Sequence, residues 1–240
     1  MMKKIFRLMT VVSVVVALAA CGHNTPEEPN QGNDDPVTPG NQYEAVDLGL
    51  SVKWATCNVG ANTPEEVGAY FAWGEKIEKK SYSWSNYQWG SATEEAPDFG
   101  MTRYNRTDMH VTLDATDDVA TDLMKNGFRM PTFTEFEELM DPTNCEWEWV
   151  THTDAAGISI PGYEVTSLVE GYEGKMIFLP AGGFYSGSNR TTFAVSGNYW
   201  TASIYNTVTD AQYAVLYDEY FGMVYGARHM GMTVRAVQDR

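Results

Sequence analysis

The stretch Val46-Asp47-Leu48-Gly49-Leu50-Ser51-Val52-Lys53-Trp54 indicates where the folded part of this chain begins. Every second residue is apolar, and the residues between them are polar or glycine. A period of two is typical of a β-strand with one buried face, because successive side chains of a strand point to opposite sides. We therefore predict a strand over 46–54, near the start of a domain that spans residues 43–240.

The segment before this strand, residues 21–42, has the composition of a disordered tether. Between Gly22 and Gln42 there are four prolines and four acidic residues, and Val37 is the only large apolar residue. Such a segment buries too little apolar surface to offset the entropy lost on ordering. If it is flexible, its reach is about 25 Å.

Residues 1–20 have the order of a secretory signal. Lys3, Lys4 and Arg7 precede an uncharged apolar run that ends at Ala20 and is too short to span a bilayer. The sequence Leu18-Ala19-Ala20-Cys21 resembles a bacterial lipoprotein processing site, in which Cys21 is acylated and becomes the first residue of the mature chain. The alternative is ordinary secretion with cleavage near Ala20.

The charge of the chain argues against two classes of partner. The formal net charge is −16, and removal of residues 1–20 makes it −19. Nucleic acids and anionic lipid headgroups both repel such a chain. We therefore expect no nucleic-acid partner, and we expect membrane attachment through the lipid anchor only.

The rest of the domain reads as short strands and two short helices. Asp117 or Asp118 can cap a first helix that ends near Gly127, and Thr132 with Glu135 forms the capping box of a second. Further strands are predicted at 68–74, 145–149, 176–179, 212–217 and 232–237. The expected fold class is α+β, with mostly short strands.

Six motifs follow one another between residues 45 and 238. They are Val46–Gly60, Ala72-Trp73-Gly74-Glu75, Arg129-Met130-Pro131-Thr132, Asn144-Cys145-Glu146-Trp147, Ile177–Gly182 and Val234-Arg235-Ala236-Val237. Together they resemble the Fibrobacter succinogenes major paralogous domain family of Bacteroidota lipoproteins. The resemblance implies a C-type lectin-like fold of antiparallel strands, related to the formylglycine-generating enzyme domain. It also implies a cell-envelope setting, with a lipid anchor in the outer membrane and the domain at the cell surface or on the periplasmic face.

The residues predict no catalytic centre. The related formylglycine-generating enzymes use a cysteine pair or copper near the C-terminus, whereas this chain has no cysteine after Cys145. Its paired glutamates are adjacent in sequence, so their side chains diverge and make poor glycosidase pairs. We therefore expect a protein that is not an enzyme.

Two cysteines remain once Cys21 is lipidated. In an oxidising envelope Cys57 and Cys145 most simply form a disulfide, and the alternative is a pair of buried, reduced thiols.

No metal or other cofactor is predicted. The histidines are isolated from one another and show no metal-ligand spacing. A group of four aspartates has the acidity of a calcium site but lacks the glycine and distal glutamate of an EF-hand loop. Helix capping explains it with fewer assumptions. These residues are Asp114, Asp117, Asp118 and Asp122.

Two regions have the composition of a binding surface, with aromatic rings beside short polar residues. The predicted ligand-binding residues are Trp84, Trp89, Tyr205, Asn206, Asp218, Tyr220, Tyr225 and His229. The flanking segments Tyr199–Ser203 and Arg228–Arg235 resemble the frame that brackets the variable binding surface of related C-type lectin-like proteins. The alternative for any single ring is that it fills the core.

The sequence therefore predicts a cell-envelope lipoprotein whose domain binds an external glycan or protein without catalysis. A structural or adhesive surface protein with no dedicated pocket is the competing hypothesis. An enzyme on the formylglycine-generating-enzyme-like fold is the weaker one.

Overall fold

The computed structural model describes residues 43–90, 100–105, 107–154, 156–205 and 209–240. The predicted signal segment, the tether, Cys21 and Asn206 lie outside these residues. Two α-helices occur in the described part, α1 (Val119–Leu123) and α2 (Phe133–Met140), together with a 3₁₀ turn at Trp84–Asn86. None of the described helices is long and apolar enough to cross a membrane.

Short antiparallel strands make up most of the described fold. They are β1 (Ala45–Val46), β2 (Val52–Asn58), β3 (Phe128–Arg129), β4 (Cys145–Thr153), β5 (Ser159–Ser167), β6 (Met176–Pro180), β7 (Phe184–Ser186), β8 (Asn189–Thr191), β9 (Ser196–Ile204), β10 (Asp210–Tyr217), β11 (Tyr220–Ala227) and β12 (Arg235–Asp239). The sheets have the orders β1-β2-β12-β3, β11-β10-β9, β4-β5-β6 and β7-β8. The α+β prediction, with two short helices, is confirmed.

The predicted strand over 46–54 is instead a tight hairpin. β1 pairs antiparallel with β2, which places Val46 opposite Trp54. Gly49 makes the turn with φ of +81°, and its N–H donates to Asp47 Oδ1 at 3.0 Å. The alternation of burial is correct, because Leu48 is buried within the connection. Alternation alone did not reveal the chain reversal at the glycine.

The other predicted strands have mixed outcomes. The predictions near 145–149, 176–179 and 212–217 are confirmed by β4, β6 and β10. The strand predicted at 232–237 begins only at Arg235. The strand predicted at 68–74 is wrong, since this segment contributes only an isolated bridge from Phe71 to Met232. Its rings are nevertheless buried: Phe71 and Trp73 pack in a core cluster with strand residues such as Trp200, and Tyr70 packs with Tyr82 and Tyr87.

Both helices begin as their capping residues predict. Asp118 caps α1 by accepting the N–H groups of Ala120 and Thr121 at 2.8 and 3.0 Å. Thr132 and Glu135 form the capping box of α2. Gly127 is not the C-cap of α1, because the helix already ends at Leu123.

The buried Arg235 joins three strands through hydrogen bonds. Its guanidinium donates to the Asn58 side chain and to the Ala55 carbonyl of β2, at 2.9 and 3.0 Å. It also donates to the Phe178 carbonyl of β6 at 2.8 Å. A buried charge with these partners ties β12 to β2 and β6, and burial lowers its pKa.

Candidate functional site

The turn after β11 carries His229 and is fixed by its neighbour, Arg228. Arg228 is fully buried, and its guanidinium donates to the main-chain carbonyls of Tyr104 and Arg103. The guanidinium carbon also lies 5.1 Å from the Trp73 ring centroid. These contacts anchor the Arg228 side chain and so help to hold the turn that carries the imidazole.

His229 packs against Trp84, so the structure brings together two predicted site residues that are far apart in sequence. Their ring centroids are 4.5 Å apart, with 55° between the planes. Trp84 begins the 3₁₀ turn, which Ser83 and Asn86 stabilise through a capping box. The two rings therefore form one aromatic patch built from two separate loops.

The imidazole has a polar atom that the described protein does not satisfy. His229 Nδ1 is buried and has no hydrogen-bond partner among the described residues. Burial and the positive charge of Lys79 lower the pKa of His229, and Asp210 partly opposes this. The ring is therefore mainly neutral at pH 7, when one of its nitrogens can accept a hydrogen bond.

Tyr205 and Tyr225 form a second aromatic pair. Their ring centroids are 3.9 Å apart and their planes differ by 5°. Tyr225 remains 54% exposed, so much of its ring surface faces solvent. The N–H of Tyr205 donates to the carbonyl of Asp210 at 3.1 Å.

Asp210 connects the two aromatic pairs, since its carbonyl holds Tyr205 and its charge acts on His229. We call the group Trp84, Tyr205, Asp210, Tyr225 and His229 the His229 surface. Neither Asp210 nor Lys79 is among the site residues that the sequence predicted. The only available signal was that Asp210 lies within the aromatic and polar segment 205–229.

Trp89 serves the packing of the fold. Its indole N–H donates to the carbonyl of Gly74 at 3.0 Å. The guanidinium of Arg103 lies 5.3 Å from its ring centroid, and Arg103 in turn contacts Asp117 at 2.7 Å. Because its N–H and one side of its ring are already engaged, Trp89 offers less contact area than Tyr225.

Asp218 and Tyr220 lie at the other end of the β10–β11 hairpin. Tyr217 pairs with Tyr220, and residues 218–219 form the turn between the strands. Five residues along a strand separate Tyr220 from Tyr225 by about 17 Å, and an odd spacing places the two side chains on opposite faces. The structure therefore separates these two predicted residues from the His229 surface.

Both Cys57 and Cys145 are free and buried in the structure, so the predicted disulfide is absent from it and the reduced alternative is present. Cys145 packs in the core cluster that contains Leu48 and Trp54, and Cys57 is not a member of that cluster. Burial raises the pKa of Cys145 to about 11. A thiol in this environment is a poor nucleophile at neutral pH.

The four aspartates considered for calcium each contact a partner within the protein. Asp114 and Asp117 contact Arg103, and Asp122 contacts Lys76 at 3.7 Å. Asp118 is the helix cap and also accepts the N–H of Met130 at 2.8 Å. Within the described residues, no group of three or more candidate ligands is positioned to hold a metal ion.

A cavity of about 440 Å³ shares no lining residue with the His229 surface. Four carboxylates and one guanidinium line it: Glu65, Glu66, Glu78, Asp154 and Arg190. Backbone N–H groups already donate to Glu66 and Asp154, at 2.7 and 2.8 Å. The composition of these loops gave no signal for this cavity, because its walls come from segments distant in sequence.

No family model, no curated protein and no solved structure matches the chain.

Proposed function

We propose that the chain is a cell-envelope lipoprotein whose domain binds an external ligand, a glycan or a protein, through the His229 surface and without catalysis. The observation that carries this proposal is the parallel pair Tyr205–Tyr225, with Tyr225 54% exposed. The solvent-exposed part of the Tyr225 ring buries no apolar surface on folding and so adds nothing to the stability of the fold. A bound ligand can cover that surface.

The surface combines the two contributions that recognition needs. The tyrosine rings give rigid contact area that costs little side-chain entropy on binding. Asp210 adds a carboxylate beside the rings, and its oxygens can select hydroxyl or amide partners. Both loops are fixed by hydrogen bonds, so little ordering is required on binding.

We further propose that the domain has the C-type lectin-like fold and belongs to the Fibrobacter succinogenes major paralogous domain family. The support is the order of the six motifs together with an α+β architecture that has two short helices. Attachment through Cys21 to the outer membrane, facing the cell surface or the periplasm, is part of the same proposal.

A pair of equally exposed tyrosines on β11 provides the test. Tyr225 and Tyr220 are 54% and 55% exposed, but only Tyr225 lies in the His229 surface. With a ligand found on a glycan and protein array, we expect Tyr225→Ala to weaken binding by about 2 kcal/mol, roughly thirty-fold in Kd. Tyr220→Ala should leave Kd unchanged, and both variants should melt within a few degrees of the wild type.

The reverse pattern, with Tyr220→Ala losing affinity and Tyr225→Ala keeping it, would move the site to the hairpin tip. A large drop in melting temperature for Tyr225→Ala would show that its ring stabilises the fold instead. The competing role is that of a structural or adhesive surface protein without a dedicated pocket. An array without any hit would support that role.

A further inference from the structure

The outer edge of β11 is open in the described structure. Asp210 pairs with Ala227, so Thr209 lies opposite Arg228, and the Arg228 N–H donates to the Thr209 carbonyl at 3.0 Å. Inward and outward hydrogen-bonding positions alternate along an antiparallel strand. The N–H and C=O groups of residues 221, 223 and 225 therefore point away from β10, and no described backbone group pairs with them.

This edge lacks the features that usually prevent strand pairing. All eight residues of β11 are uncharged and none is proline. By contrast β4, an outer strand of another sheet, carries Glu146, Glu148 and His152. On the far side of the same sheet, β9 is bonded by loop residues such as Thr233 and Pro131. An uncharged, uncovered edge of this length is a site for strand addition.

An apolar groove runs beside the open edge. Its part between α2 and β11 has a volume of about 610 Å³ and includes Phe133, Met140, Phe221 and Met223 in its walls. A neighbouring cavity of about 430 Å³ is lined by Trp147 and other residues and shares Phe221 and Pro142 with it. Because Phe221 and Met223 also have outward backbone groups, a strand added here would place alternate side chains over the groove.

The charges around the groove indicate the chemistry of its occupant. Glu137, Asp141 and Glu146 line the two cavities, and no lysine or arginine does. The hairpin tip adds Asp218 and Glu219, and the whole chain has a net charge of −16. A second copy of the chain would bring like charges together, whereas a basic segment would neutralise them.

We propose that β11 accepts an added strand from a basic, extended segment of another protein. The segment would be about eight residues long, the length of β11, with apolar residues facing the groove and lysine or arginine facing the acidic rim. This surface is separate from the His229 surface except where Tyr225 ends the edge. The inference therefore does not depend on the proposed ligand function.

The test uses the purified full chain and a synthetic eight-residue peptide of alternating valine and lysine. We expect hydrogen exchange at the amides of residues 221, 223 and 225 to slow by at least tenfold on binding. The matched control is the fully N-methylated peptide, which keeps the side chains and the charge but has no backbone N–H. This control peptide should not bind, and it should leave hydrogen exchange at these amides unchanged.

Two protein variants, with a third as a control, separate the contribution of strand pairing to binding from that of charge. Met223→Pro removes an outward N–H without removing a bond to β10, and it should abolish protection. Glu137→Lys should weaken binding of the valine–lysine peptide at least threefold and favour a valine–glutamate peptide instead. Glu44→Lys changes an exposed acid that lines neither cavity, and it should have no effect.

Three outcomes would overturn the inference. Equal binding of the N-methylated peptide would show electrostatic adhesion without strand pairing. Protection of β11 that rises with protein concentration in the absence of peptide would assign the edge to a second copy of the chain. No protection by the valine–lysine peptide at saturating concentration would show that the edge takes no such strand.

Discussion

His229 combines packing and polarity in one side chain. Its ring lies against Trp84, while its Nδ1 is buried without a described partner. An unsatisfied buried nitrogen costs stability, and proteins retain such groups chiefly where they have another use. Its neighbour Arg228 is also buried; both terminal nitrogens of its guanidinium donate to main-chain carbonyls, whereas its Nε has no partner among the described residues.

The lowered pKa of His229 predicts how stability changes with pH. Because the folded-state pKa lies below the usual 6.5, the unfolded chain binds this proton at higher pH. Stability should therefore fall as the pH drops below about 6.5, until the folded-state pKa is passed. The free energy of unfolding of His229→Gln should fall less over that window. The slopes of free energy against pH for the wild type and the variant should differ by at most about 1.4 kcal/mol per pH unit.

Urea unfolding of the wild type and His229→Gln at several pH values between 5 and 8 measures this effect. The other histidines are common to both proteins, so the difference between the two curves reports on His229. Parallel curves would show that the folded protein does not shift the titration of this ring.

Among the elements, the β1–β2 hairpin depends most clearly on one residue. A Cβ on Gly49 would lie 2.7 Å from Tyr172 Cδ2 and 2.8 Å from Val169 Cγ1, and φ is +81°. Gly171 has nearly the same φ, +83°, but nothing lies within 4 Å of its added Cβ. Gly171→Ala should therefore cost only the left-handed strain, about 1 kcal/mol. Gly49→Ala should cost about 3 kcal/mol, because overpacking adds to that strain.

Denaturant unfolding of the two alanine variants gives both values under the same conditions. Equal costs would mean that Tyr172 and Val169 move aside without penalty, and that the hairpin does not need its close contact with the segment 169–172.

The same hairpin shows how far a sequence pattern predicts this fold. The alternation from Val46 to Trp54 predicted the burial correctly but not the reversal at Gly49. Local capping signals placed α1 and α2, because the groups that form a cap are close in sequence. β11 carries no clear alternation, since Gly222 and Gly226 interrupt it, and it was not predicted. Composition indicated the aromatic site residues, but only the fold could bring Trp84 to His229 and move Tyr220 away from Tyr225.

The domain as a whole is strongly acidic and has two surfaces that we propose take partners, the His229 surface and the β11 edge. The net charge of −16 on the whole chain disfavours adhesion to anionic headgroups and contact between copies of the chain. The proposed anchor at Cys21 and the predicted tether of residues 21–42 would leave both surfaces free to meet partners, at an effective concentration set by the reach of the tether.

That arrangement depends on Cys21 and leads to the last prediction. In a Bacteroidota host fed an alkyne-tagged fatty acid, the wild-type chain should take up the label and remain in the membrane fraction. Cys21→Ala should lose the label, because no other residue of the motif Leu18–Cys21 offers a thiol to acylate. Cys57→Ala is the matched control and should keep the label, since Cys57 is buried in the fold. Label retained by Cys21→Ala would exclude Cys21 as the acylated residue, and label missing from the wild type would exclude the lipid anchor.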